Sequence, residues 1–159
     1  MNGELVSDIE KGELRISGVR LTAINAQALC DYLDTLVGAR VAEVIMHNLE
    51  FRLGKLDAAK LRAEQPKATL RELIERLARD DRLSGFGITK VALSENAKNP
   101  IEIEIENPSV RGSVGAAKAF AFSWWAGIFT AFLGKEMDVE NFNYNKERNL
   151  IECQIVPRG

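Results

Sequence analysis

The chain has a single histidine, two cysteines and four prolines, and each scarcity closes off a class of chemistry. His47 has no second imidazole to share a metal with, and nothing near it in sequence to activate as a nucleophile. It is expected to be a surface or interface residue. No HExxH, GxSxG or GxGxxG pattern is present, and no cofactor is implied by motif. Cys30 and Cys153 lie far apart and form no CxxC. A reduced cytoplasmic protein is the simpler reading, a disulfide between them the alternative. Neither thiol has an adjacent base to lower its pKa, so both read as small buried hydrophobes.

Charge of one sign is also missing. The 21 Lys and Arg are interleaved with 23 Asp and Glu for a net charge of −2, with no basic stripe. That argues against nucleic acid and against an anionic membrane surface as partners. The opening MNGELVSDIEKGEL carries acids and no apolar core, so it is not a signal peptide. The greasiest stretch, Ala119 to Leu133, has fifteen uncharged residues where a bilayer span needs about twenty. No membrane segment is expected, nor an internal repeat or a linker. The chain reads as one domain over residues 1–159, of a size that can bury a real core.

What is present divides at about residue 84. A short strand is expected at Glu13 to Ser17. Asn25 then caps a helix carrying Leu29, Leu33, Leu36 and Val37, stopped by Gly38. From Val41 into the sixties, Val41, Ile45, Leu49, Leu53 and Leu56 recur at the spacing of one buried helix face, up to Pro66. Thr69 and Glu72 make a capping box before the stripe Leu70, Leu73, Ile74 and Leu77, which Gly85 and Gly87 interrupt. The period then changes to two. Phe86, Ile88, Val91 and Leu93 suggest a strand, and 101-IEIEIE-106 is a half-buried one with its isoleucines inward. Glu102, Glu104 and Glu106 form its wet face and not a cation site. Residues 136–156 read as a hairpin turning near Asn145 to Asn149. The expected fold is therefore α+β: a mainly helical half, residues 1–84, packed with a four-stranded antiparallel sheet in strand-strand-helix-strand-strand order over 85–159.

The helix in that second half carries six of the chain's eleven aromatic residues. At 100° per residue, Phe122, Trp125, Phe129 and Phe132 fall on one arc, and Phe120, Trp124, Ile128, Ala117 and Ala131 on the next. Ala116, Ala119, Ser123, Ala126, Gly127 and Thr130 leave a small side that another backbone can approach. An aromatic ring left in water forfeits about 2–3 kcal/mol, so six exposed ones are excluded. One arc suits the sheet. The other needs the first-half helices, a partner subunit or an apolar ligand. The preceding 112-GSVGAAK-118 resembles a phosphate-cradling helix start, but its spacing is not that of a P-loop, and Ser113 serves equally as a helix cap.

The segment from about 86 to 157 resembles the vinyl-four-reductase domain of archaeal and bacterial hydrocarbon-binding proteins. The resemblance rests on 101-IEIEIENP-108, on Ala126-Gly127-Ile128-Phe129, on Leu133-Gly134-Lys135 leading into Met137-Asp138-Val139-Glu140, and on Cys153-Gln154-Ile155-Val156. The helical first half, with 20-RLTAI-24 entering a helix, is similar to the region preceding that domain in single-domain members. The resemblance implies a fold shared with transport-protein-particle subunits, often homodimeric, and a binding module for small lipophilic or aromatic molecules, not an enzyme. Many members hold zinc near the last hairpin. Here only Cys153 matches, with Glu140 or Asn141 at the glutamate position and Asn143 or Tyr144 at a cysteine position, so no metal is expected. The expected function is binding of a small hydrophobic or aromatic ligand against Phe120, Trp124, Trp125, Ile128 and Phe129, as a sensor or carrier. The alternative is a scaffold or dimeric assembly subunit without a ligand.

Overall fold

The computed structural model describes residues 5–8, 13–16, 19–21, 25–93, 100–112 and 114–159, with side chains from residue 25 onward. Its first elements are three short strands, β1 (Leu5–Asp8), β2 (Glu13–Ile16) and β3 (Val19–Leu21), paired antiparallel in that order. Only the middle one was legible in sequence, and the expected end at Ser17 lies outside the described residues. Strands of three or four residues are too short to display a period.

Helix α1 (Ala26–Val37) is capped by Asn25, whose side chain accepts from the Ala28 N–H. Gly38 ends it, and the 26-residue α2 (Ala39–Glu64) follows at once. Helix α3 (Leu70–Ser84) starts on the full Thr69–Glu72 capping box and stops at Gly85, whose φ of 79° suits a residue without a Cβ. The second half is β4 (Ile88–Ala92), β5 (Ile101–Glu106), α4 (Gly115–Leu133), β6 (Met137–Asn145) and β7 (Leu150–Pro157). The sheet is antiparallel throughout in the order β4-β5-β7-β6. The α+β fold, with helices in the first half and a four-stranded antiparallel sheet in the second, is as the sequence implied.

Register places Ile101, Ile103 and Ile105 opposite Ile155, Cys153 and Ile151, all buried on one sheet face. Helix α4 covers that face with Phe122, Trp125 and Phe129. On the wet face Glu106 pairs with Lys90. The hairpin turn falls where expected, between Asn145 and Leu150.

The small side of α4 receives a backbone, as its composition implied. Helix α2 runs parallel to it, with Glu43 beside Lys118, His47 beside Ser123 and Phe51 beside Gly127. Contact is closest at two glycines. A Cβ on Gly54 would lie 2.0 Å from the Trp124 carbonyl oxygen, and one on Gly127 2.1 Å from that of Phe51.

This packing corrects one expectation. The buried face of α2 is Ala42, Met46, Glu50, Gly54, Ala58 and Leu61. Val41, Ile45, Leu49, Leu53 and Leu56, expected inside, are exposed, Leu56 at 66% and Val41 at 52%. Leu36 and Val37 of α1 are exposed with them, as is Tyr32. The reason is steric: a helix as close as α4 can be met only by small side chains, so the bulkier stripe turns outward.

Candidate functional site

The N-terminus of α4 is occupied by the chain itself. Asp34 of α1 accepts from the Ala116 N–H at 2.9 Å and lies against Gly115, whose φ is 66°. A Cβ at Gly115 would strike that carboxylate. The anion cradled by this glycine-rich start is thus an internal one, favoured by the helix dipole. Ser113, the expected cap, lies outside the described residues, and Val114 at the N-cap position offers no side-chain hydrogen bond.

Of the five residues expected to wall a ligand site, Trp125, Ile128 and Phe129 are fully buried in the main core. Trp125 stacks toward Phe129 with centroids 5.9 Å apart and meets Trp124 edge-on at 5.1 Å. Phe120 and Trp124 are half-buried. Phe120 stacks on Phe86 at 5.0 Å, with 13° between the rings. Trp124 packs beside α2 and donates its indole N–H to Asp57 Oδ2 at 2.8 Å. The second aromatic arc therefore meets α2 and the loop before β4. The five residues are contiguous along α4, and none of them lines either of the two clefts described below.

Behind this aromatic wall sits a polar cluster that sequence reading missed. Asp81, near the end of α3, is 7% exposed and accepts from Thr89 Oγ1 at 2.8 Å. Burial pushes its carboxyl up to about 7, against the opposing pull of the Thr89 hydroxyl and of the nearby Trp125 indole N–H. That N–H is close enough to favour the charged form, but Trp125 Nε1, like Ser109 Oγ, is buried with no well-formed hydrogen bond among the described residues. Ser109 adjoins the same cluster, its N–H donating to the Phe86 carbonyl, while the Phe86 N–H donates to that of Asp81. A signal for Asp81 did exist: it continues the Ile74 and Leu77 stripe four residues on.

A second buried acid, Glu50, lies on the α2 face turned to α4. Its pKa is raised to about 7 by desolvation first and by the charge of Asp57 second. Cys30 and Cys153 are buried and free, as expected, and burial raises both thiols, Cys30 to about 11.

On the other side of the α2–α4 seam a cleft of about 850 Å³ opens between α2, α4 and the start of β6. Its floor includes Phe51, Ala119, Met137 and Val139. His47 is here, with Nδ1 2.9 Å from Ser123 Oγ, so it does have a partner, 76 residues away. Its ring lies 5.7 Å from that of Phe51, and Lys55 Nζ is 6.0 Å above the same ring. A smaller cleft of about 440 Å³ adjoins at Lys55, Thr130 and Glu136.

No protein-family model matches the chain, and no curated protein matches it by sequence. Among solved structures it is similar to the phenol-responsive sensory domain of the transcription activator PoxR, crystallised with phenol, at 15% identity and a TM-score of 0.69. The alignment covers 96% of this chain and 84% of that one, so the two share a fold along almost all of this sequence.

Proposed function

We propose that the chain is a ligand-sensing module of the vinyl-four-reductase type that binds a small aromatic molecule without transforming it. The observation that carries this reading is that the Trp125 N–H, near the buried Asp81, and the Ser109 hydroxyl have no hydrogen-bond partner among the described residues, behind a wall of aromatic rings. Buried polar atoms are ordinarily satisfied, and an orphan costs about 1–3 kcal/mol. An aromatic ligand bearing one hydroxyl would offer a ring to Phe120, Trp124 and Phe86, and a donor–acceptor group to the cluster. The shared fold with a phenol-responsive domain supports the same ligand class.

The exposed stripe on α1 and α2 supports homodimerisation. Nine large apolar side chains from Tyr32 to Leu56 form a surface of the kind that marks association. This same stripe favours the second reading, an assembly subunit without a ligand. We place the protein in the cytoplasm, with no nucleic-acid or membrane contact of its own. Helix α4 is long and apolar enough to span a bilayer, but most of it is buried in this chain's own core.

The test is a titration with phenol followed by tryptophan emission. A saturable shift is expected, weakened about tenfold by Trp125→Phe, which removes one hydrogen bond to a ligand hydroxyl. No saturable response to phenol or its methylated homologues would refute the sensing reading in favour of the scaffold.

A further inference from the structure

The cleft on the opposite side of α4 has a chemistry that the proposed aromatic site does not use. Five basic side chains line it (Arg40, Arg52, Lys55, Lys118 and Arg158) against three acids (Glu43, Glu136 and Asp138). All three acids are engaged. Glu43 pairs with Lys118 at 2.8 Å, and Arg158 pairs with Glu136 at 2.9 Å and with Asp138 at 3.5 Å. Arg40, Arg52 and Lys55 make no ion pair among the described residues. In a protein of net charge −2, this cleft carries a local surplus of positive charge.

The positive charge and the hydrogen-bonding capacity converge on one ring. His47, Phe51 and Lys55 follow one another at four-residue spacing, so they stand on one line of α2. Ser123 is 2% exposed, and His47 Nδ1 is the one hydrogen-bond partner of its Oγ among the described residues. The bond joins the two side chains whichever of them donates, and it ties the His47 ring, which lines the cleft, to α4. Phe51 thus has an imidazole on one side and an ammonium on the other, with Met137 and Val139 also lining the cleft.

We infer that this cleft is a second binding site, for a small aromatic carboxylate, whose ring lies on Phe51 beside His47 and whose carboxylate is held by Lys55 Nζ. The volume of about 850 Å³ lies within the range of small-molecule sites.

The inference is independent of the phenol site, and calorimetry with benzoate as the probe keeps the two apart. Benzoate is expected to bind one per chain, benzyl alcohol not to bind, and phenol not to displace benzoate. Lys55→Met, an exposed position that leaves the fold intact, should weaken benzoate about tenfold or more, the cost of a lost charge-assisted hydrogen bond, and leave the phenol response unchanged. Lys60→Met, on the same helix outside the cleft, should change neither. The inference is overturned if benzoate does not bind, if phenol competes with it, or if Lys55→Met binds it as well as the unaltered chain.

Discussion

Replacing Gly54 or Gly127 with alanine should destabilise the protein, although both lie in helix interiors where alanine is intrinsically favoured. Alanine is better than glycine in a helix by about 1 kcal/mol, and the unfolded chain loses freedom as well. Against this stands the geometry. The new Cβ at position 54 would be 2.0 Å from the Trp124 carbonyl oxygen, and at position 127 2.1 Å from that of Phe51. A carbon and a carbonyl oxygen ordinarily approach to about 3.3–3.6 Å, so the helices must part by roughly 1.3 Å. Both obstacles are backbone and cannot swing aside. Separation along a seam that also holds Ala58, Ala126 and Ile128 opens voids on both sides. Overpacking of this kind costs about 1–3 kcal/mol, and the lost contacts beside it raise the total to about 3–4 kcal/mol. Net of the propensity gain, about 2–3 kcal/mol remains, or a midpoint lower by roughly 5–10 °C for a chain of this size. Thermal and urea unfolding of each single variant measure it. Once one alanine has forced the helices apart, the second should cost less than it does alone. A higher midpoint in either single variant would refute the close-packed parallel seam.

The buried acids give a pH signature. Asp81 and Glu50 are both pushed to about 7 in the fold, so the native state holds protons that the unfolded chain releases. Their contribution is fully present below about pH 4 and is lost as pH rises toward 7. Asp81→Asn and Glu50→Gln should each raise the unfolding free energy above pH 7, by on the order of 2–3 kcal/mol, and change it little near pH 4. A pH-independent effect would contradict the assignment. Cys30 and Cys153, buried with raised pKa values, should resist a disulfide reagent in the native protein and react together on unfolding; fast labelling of either would place it at the surface. Leu49→Glu together with Leu56→Glu should convert the proposed dimer to a monomer in light scattering without lowering helix content. Loss of the fold instead would mean that the stripe is internal.

How far the sequence could be read depended on what each segment packs against. The IEIEIE strand and the final hairpin were legible because one face of each meets the core and the other meets water, which writes a period of two directly into the residues. Helix α3 was legible for the matching reason, down to its capping box. Helix α2 misled. Its apolar stripe is real, but an apolar stripe does not say which face of a helix meets its neighbour in the same chain. The face that meets α4 is written in Ala42, Gly54 and Ala58, whose small size is the signal and whose hydropathy is faint. Of the strands before residue 22 only β2 was legible, the others being too short to carry a pattern, and the pairing of His47 with Ser123 spans 76 residues.

The same distinction bears on the aromatic helix. One arc of α4 is explained by the sheet, since Phe122, Trp125 and Phe129 are buried over the isoleucines of β5 and β7. The other was expected to need something beyond the sheet, and Phe86 and α2 supply it. What neither arc explains is polarity. A helix selected for packing alone has no use for an indole N–H without a partner, or for an acid held near neutral pH behind its rings. Asp81 and Thr89 are hydrogen-bonded to each other, whereas the Trp125 N–H and the Ser109 hydroxyl have no partner among the described residues. Under the proposed function a small aromatic ring bearing a hydroxyl would accommodate those two atoms, which a scaffold without a ligand would leave unused.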